Sequence, residues 1–567
     1  MSSVTANLGK ATAALNGGRI LLGAVFFAAS LTPSLIPRDE LIQGALSGGV
    51  FAIGYALGSF FSWLWFYLEF PRLNDRVRLP LNALALAGSV FIALAALTQA
   101  TNWQNSIRAV MAMRPSEGTW LLMLCVVAVL TATFLFVIAR LLRALTTVVA
   151  SRMSRLVPRR VSNVIAVVVT ALLVWSVASN FIVRTALNVL DSSFAELDRL
   201  FEPEQPRPAD PEKTGGTHSL IGWEELGRTG RRYVASGPSA EEIRAFTGRP
   251  ALAPVRVYVG LRGADTAKKR AELALKELQR QGGFDRANLV VITPTGTGWV
   301  DPSAIDSVEF LHHGDVASVA VQYSYLNSPL SLLVQPDLGA EAARALFLEI
   351  YRYWTSLPRD KRPKLYLHGL SLGALNSEKS VEFFEILSDP INGALWSGSP
   401  FGSRLWRSFT EGRNEGSPAW LPTFGNGQLV RFMNQGGATL PKDTPWEPLR
   451  IVYLQYASDP ITFFDLRIAY HPPAWLADPR GPDVSPSLRW FPIVTMLQVA
   501  IDMGFANNAP MGFGHVFAPE HYTDAWVTLT DPPGWTQDQL ARLKKYLASE
   551  ARKPDTDLAP AYEDRGG

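Results

Sequence analysis

Five long apolar runs fill the first third of the chain, at about residues 18–36, 44–68, 79–97, 120–138 and 161–183. A helix needs about 20 apolar residues to cross the hydrocarbon layer, where no water can satisfy a backbone N–H or C=O left outside the helix. Each run approaches or exceeds that length. The spacing predicts an α-helical transmembrane bundle of about five helices over residues 1–190, and such repetition excludes a single cleaved leader as the explanation. The first run is the weakest of the five, because Pro33 and Pro37 crowd its end.

Arginine placement sets the orientation. The connection after the second run carries Arg72, Arg76 and Arg78, and the one after the fourth carries Arg140, Arg143, Arg152, Arg155, Arg159 and Arg160. Both lie on one side of a five-span arrangement, and the excess of positive charge makes that side cytoplasmic. A multi-pass protein of the cytoplasmic (inner) membrane follows, with everything after the last run extracytoplasmic. Gly54 and Gly58 form a GxxxG, the spacing that lets two helices approach closely. No Asp, Glu, Lys or His lies mid-span, which argues against ion-coupled transport as the main role.

Composition narrows the rest. A net charge of +3 is too mild to suggest nucleic acid, and the basic residues cluster between the apolar runs. The single cysteine, Cys125, sits in an apolar run, so the chain has no internal disulfide, no cysteine metal site and no CxxC motif. No cofactor or metal is expected.

Residues 191–220 turn acidic, polar and Pro-containing and read as a linker. Residues 221–555 then alternate between strand-like and helix-like segments: strands at 255–260, 288–293, 316–325, 365–367, 393–397 and 449–456, helices at 264–281, 340–357, 374–387, 491–505 and 537–549. Such alternation predicts a mainly parallel sheet with helices on both faces and a site at the carboxyl ends of the strands. Residues 398–448, rich in Trp, Pro and Gly, and the irregular stretch at 463–489 read as cap-like insertions. A polar tail, 556–567, closes the chain.

The sharpest local signal is Gly369-Leu370-Ser371-Leu372-Gly373, between an apolar strand and a helix. Strand, tight turn and helix around a serine make a nucleophile elbow, in which the glycines let neighbouring backbone approach. A serine hydroxyl needs a base to take its proton and a carboxylate to orient that base, in the chain order serine, acid, histidine. Asp459, at the end of strand 449–456, is the expected acid, with Asp465 as the alternative. Three histidines follow the elbow. His471 comes too early; His515, in a glycine-rich loop ahead of the last helices, is the expected base and His521 the second choice. The backbone N–H of Leu372 and of the loop carrying Gly296, Thr297 and Gly298 are the expected oxyanion donors.

These residues carry a resemblance. The stretches 256–261, 295–302 (TGTGWVDP), 322–326, 371–373 and 456–460, with Gly514-His515, are similar to those of bacterial membrane-anchored alpha/beta hydrolases, which join an N-terminal multi-span domain to a C-terminal catalytic domain. Where that family tends toward G-E-S-L-G, this chain has Leu370 before the serine. The resemblance implies a transmembrane bundle followed by an α/β-hydrolase domain.

The combined expectation is a membrane-tethered serine hydrolase that acts on a lipid or other acyl-ester substrate, working at a membrane without nucleic acid. Acyl transfer by the same residues is the alternative chemistry. A non-catalytic envelope protein that keeps the fold is the rival from another class.

Overall fold

The computed structural model describes residues 17–71, 74–116, 120–176, 198, 206–326, 331, 337–440 and 444–551. It begins with α1 (Gly17–Ser30), followed by α2 (Glu40–Tyr67), α3 (Asp75–Val110), α4 (Trp120–Met153) and α5 (Arg159–Ser176). Among the described residues the last four are long and apolar enough to cross a bilayer. The first run falls short of the expected span, since α1 has only 14 residues. Its end is fixed by side chains: the Ser30 carbonyl accepts from Gln43 Nε2 at 2.9 Å and from Gln498 Nε2 at 3.1 Å, and the Thr32 carbonyl accepts from Gln498 Nε2 at 2.9 Å. Pro33 then bars continuation. The end of the fifth run, 177–183, and most of the linker lie outside the described residues.

α2 is the centre of this helical group. Of its most apolar window 44% is buried, against 11–17% in the other three spans. Glycines on different faces explain how. At Gly54 a Cβ would lie 2.8 Å from the Leu22 carbonyl oxygen, and at Gly58 2.9 Å from Arg19 Cα, so the GxxxG seats α1. Gly44 and Gly48 face the Leu124 and Ala128 carbonyls of α4 in the same way.

The elements that follow include β1 (Val255–Val259), α6 (Ala267–Arg280), β2 (Asn288–Thr293), α7 (Pro302–Leu311), β3 (Val316–Val321), α8 (Leu338–Ser356), β4 (Lys364–Leu370), α9 (Leu372–Ser380), β5 (Gly393–Ser397), β6 (Val430–Asn434), β7 (Gly437–Ala438), β8 (Arg450–Leu454), α10 (Val494–Gly504), α11 (Pro519–Thr530) and α12 (Gln537–Ala551). The eight strands form one sheet in the order β1-β3-β2-β4-β5-β8-β6-β7, parallel throughout except for β6 with β7. β1, β2, β3 and β5 are buried along their whole length, as expected where helices cover both faces of a parallel sheet.

Two expectations are corrected. Residues 398–448 are not wholly irregular, because they supply β6, which extends the sheet beyond β8. Arg431 disguised this strand in the sequence. Its guanidinium lies 3.7 Å from the centroid of the Trp446 ring and donates to the Gly427 and Pro445 carbonyls at 3.0 and 3.3 Å, so a cation is held inside a buried strand. The helix expected at 374–387 ends at Ser380, and Val381 is extended at φ −110°, ψ 122° before a separate short turn, Phe383–Ile386.

The chain divides into two compact units, one of Met1–Thr185, Phe464–Leu476 and Pro482–Phe505, the other of Ala186–Phe463, Ala477–Gly481 and Ala506–Gly567. Residues 464–476 and 482–505, which by sequence read as part of 221–555, thus pack with the N-terminal helices. Buried polar groups explain their place. Asp502 on α10 accepts from Arg38 Nε at 2.7 Å, from Ser34 Oγ at 2.5 Å and from the Leu35 N–H at 3.2 Å. One turn earlier Gln498 caps the end of α1, and Val494 packs with Ala29, Leu46 and Val50.

Candidate active site

The site is built at the carboxyl end of β4. Ser371 follows the strand directly and has φ 56°, ψ −123°, a conformation that costs a non-glycine residue of order 1–3 kcal/mol. Its N–H donates to the Ser397 carbonyl at 2.9 Å, which ties the turn to the end of β5. The flanking glycines are sterically required. A Cβ on Gly369 would lie 2.5 Å from the Gly373 carbonyl carbon, and one on Gly373 would run into the Thr293 carbonyl oxygen at the end of β2. Leu372 then opens α9. Its N–H is one of those at a helix start that no turn of helix can satisfy, and that end of the helix carries partial positive charge.

Asp459 lies beyond β8 with no solvent exposure. Oδ1 accepts the Ile461 N–H at 2.9 Å, and Oδ2 accepts Thr462 Oγ1 at 3.0 Å. The same Oδ2 is 2.7 Å from His515 Nδ1. A carboxylate oxygen accepts this bond, so Nδ1 carries the shared proton and Nε2 is turned away from Asp459. Nε2 is buried and has no hydrogen-bond partner among the described residues, Ser371 Oγ included.

The loop holding His515 is tied down on several sides. The Gly514 N–H donates to Ser458 Oγ at 2.9 Å, the His515 N–H to the Ala506 carbonyl at 3.2 Å, and Gln435 Nε2, just past β6, to the Gly512 carbonyl at 3.0 Å. Phe517 stacks on Tyr456 at 4.6 Å and meets the His515 ring edge-on at 5.7 Å. A Cβ on Gly398 would stand 2.5 Å from His515 Cε1, so only glycine fits there. Ser371 and His515 therefore both adjoin the Ser397-Gly398 peptide at the end of β5.

The other expected residues fall elsewhere. Asp465 binds Arg467 through its backbone N–H at 2.8 Å and its Nε at 2.8 Å, as a local turn. Among the described residues His521 meets no carboxylate. Its Nδ1 is 2.6 Å from Tyr456 Oη, which also accepts the Ala518 N–H, and burial pushes its pKa down to about 4. His368 is likewise held at about 4 by burial, with Nδ1 on the Leu395 carbonyl at 2.9 Å. In the 295–299 loop the Gly298 N–H donates to the Thr295 carbonyl at 2.9 Å. β2 pairs directly with β4, so this loop begins beside the elbow.

Sequence reasoning passed over Glu378. Seven residues after Ser371 on α9, its carboxylate accepts from Ser403 Oγ, from Tyr453 Oη at 3.2 Å and from Ser399 Oγ at 3.3 Å. Burial pushes it up to about 7, against the lowering effect of the hydroxyls. It ties the helix behind the serine to the loop that holds Gly398. The only sequence signal was its spacing of two helical turns from Ser371. Among the described residues no group of three or more His, Cys, Asp or Glu side chains is arranged to hold a metal.

A strained serine between a parallel strand and a helix, and a buried Asp–His pair at the same sheet edge, are the features of one known class of fold. Residues 255–543 match the model of the Alpha/beta-hydrolase family, and residues 31–238 match that of the Alpha/beta-hydrolase family N-terminus. No curated protein and no solved structure matches the chain. The chain belongs to the alpha/beta-hydrolase family.

Proposed function

We propose that this protein is a membrane-tethered serine hydrolase that cleaves an ester or related acyl bond in a lipid-like substrate. The observation that carries the reading is the strained Ser371 turn, set at the same end of β5 as the His515–Asp459 pair. In the first step His515 Nε2 takes the Ser371 hydroxyl proton as Oγ bonds to the acyl carbon. The carbonyl oxygen becomes an oxyanion, stabilised by the Leu372 N–H and by a second N–H from the loop that carries Gly296, Thr297 and Gly298. Collapse breaks the bond to the leaving alcohol, which departs with the proton from His515. Water then gives its proton to His515 and its oxygen to the acyl carbon, and Ser371 is restored as the acid leaves. Asp459 keeps Nδ1 protonated and steadies the imidazolium. The hydrogen bond from Ser371 Oγ to His515 Nε2 forms as substrate binds.

Four spanning helices, with Arg155 between α4 and α5 and Arg76 and Arg78 at the start of α3, support a catalytic unit on the side opposite these arginines, outside the cytoplasm. The lipid-like substrate rests on the membrane helices carried by the same chain. A fluorophosphonate probe tests the chemistry: folded wild-type protein should be labelled and Ser371→Ala should not. Absence of Ser371-dependent labelling would remove the hydrolase reading. A reporter active only in the cytoplasm, fused after Gly215, tests the side and should be silent.

A further inference from the structure

Between α2 and α10, wholly within the helical unit, runs a groove of about 530 Å³. Its size is within the roughly 300–1,000 Å³ of sites that bury a small molecule, yet its walls carry no polar side chain. On α2 the lining residues include Ala45, Gly49 and Ile53, four apart and so on one helix face. The other wall is the Leu497, Ile501 and Phe505 face of α10, at the same spacing. A neighbouring face of α10 holds Val494, Gln498 and Asp502, which fasten it to α1 and the Ser34–Arg38 turn. α10 is thus fixed on one side and leaves an apolar side uncovered, with Ile501 37% exposed across from Ile53 at 36%.

We infer that this groove holds one acyl chain of a bilayer lipid as a resident ligand that braces α10 against α2. Four observations lead there. The α2 wall belongs to a helix long and apolar enough to span the membrane, and the groove continues into that helix's exposed apolar surface. A water-filled groove at that depth would leave nine apolar side chains wet or the water without partners. An unbranched chain fits a channel between two helices, where a globular partner would not. Finally, the groove widens at Gly49, where a Cβ would find nothing within 4 Å. The glycines packed against α1 and α4 are there for close helix approach, and Gly49 is not.

The inference rests on the membrane reading of α2 and not on the chemistry of Ser371. Full-length protein in phosphatidylethanolamine and phosphatidylglycerol vesicles, doped with a phosphatidylglycerol carrying a photoactivatable diazirine in its acyl chain, provides the test. Cross-links should appear on the peptide bearing Leu497, Ile501 and Phe505. Gly49→Leu puts a side chain into the groove at a position where a Cβ has nothing within 4 Å, and it should lower them roughly tenfold, which corresponds to about 1.4 kcal/mol of lost contact. Labelling around Phe91, an exposed side chain of α3, should stay unchanged. Ile501→Gln attacks the other wall and should act in the same direction as Gly49→Leu. Labelling at Phe91 with none on α10, or α10 labelling in both variants equal to that of wild type, would overturn the inference. If neither peptide were labelled, the membrane reading itself would fall. Loss of fluorophosphonate labelling with the groove still labelled would count against the hydrolase alone.

Discussion

Arg38 Nε donates to Asp502 Oδ1 at 2.7 Å, and each of these side chains is at most 1% exposed. Two opposite charges shut away from water are tolerated only when paired and hydrogen-bonded, and breaking a buried pair by removing one partner costs about 3–5 kcal/mol. Asp502→Ala should therefore lower the unfolding temperature of the detergent-solubilised protein sharply. Arg38→Met with Asp502→Leu should recover much of the loss, since it leaves no orphaned charge. A single substitution without effect on the melting curve would show that the pair does not fasten α10.

The Asp459–His515 pair makes a kinetic prediction. Asp459→Asn can place an amide donor against Nδ1 and stabilise the wrong tautomer, so turnover of a short-chain acyl ester should fall by about 10⁴. Ser371→Ala should reduce it at least as far, and His521→Gln should change it little. Turnover retained in Asp459→Asn would move the acid elsewhere.

Asp301 links stability to pH. Burial pushes its carboxyl up to about 7, against the lowering effect of the Ser303 N–H that it caps. Its ordinary value is 3.8. The folded protein thus keeps a proton that the unfolded chain releases between those pH values. The stabilisation this gives is whole below the lower value and is lost as pH rises through about 7. Asp301→Asn keeps the cap and cannot ionise, so relative to wild type it should become more stable as pH climbs from 4 to 8. The gain is a few kcal/mol at most, at about 1.36 kcal/mol per pKa unit. Thermal unfolding of both proteins across that range is the measurement, and parallel curves would contradict it.

The glycines of the elbow differ from those nearby in what a methyl group would meet. Gly373→Ala drives a Cβ into the Thr293 carbonyl, whereas at Gly402 a Cβ meets nothing within 4 Å. The first change should cost about 1–3 kcal/mol of overpacking and abolish probe labelling, while Gly402→Ala should do neither. Labelling rates and melting temperatures of the two variants decide it.

What could be read from the sequence follows how local the cause was. β2 and β5 lie where their apolar runs place them, because a fully buried parallel strand carries its signal within itself. Ser371 was legible for a similar reason: strand, glycines and helix are consecutive. β6 was hidden because its buried Arg431 depends on Trp446 and on three carbonyls that composition cannot pair with it. The first apolar run looked like a span because nothing local says that its last carbonyls are met by Gln498, 468 residues away. Glu378 carries no local signal of its role beyond its spacing from Ser371, because its partner Tyr453 lies on a strand 75 residues further along the chain.

Phe464 leaves the sheet unit five residues after Asp459, and after a brief return at Ala477–Gly481 the chain rejoins it for good at Ala506, nine before His515. The acid and base are thus written on either side of a segment whose packing partners are encoded near the start of the chain. A fragment beginning at Ile221 would translate α10 without Ser30, Thr32, Ser34 and Arg38, and so without these partners of Asp502 and Gln498. In a chimera that joins the first half of one relative to the second half of another, residues 30–43 and 494–502 would have to come from the same parent.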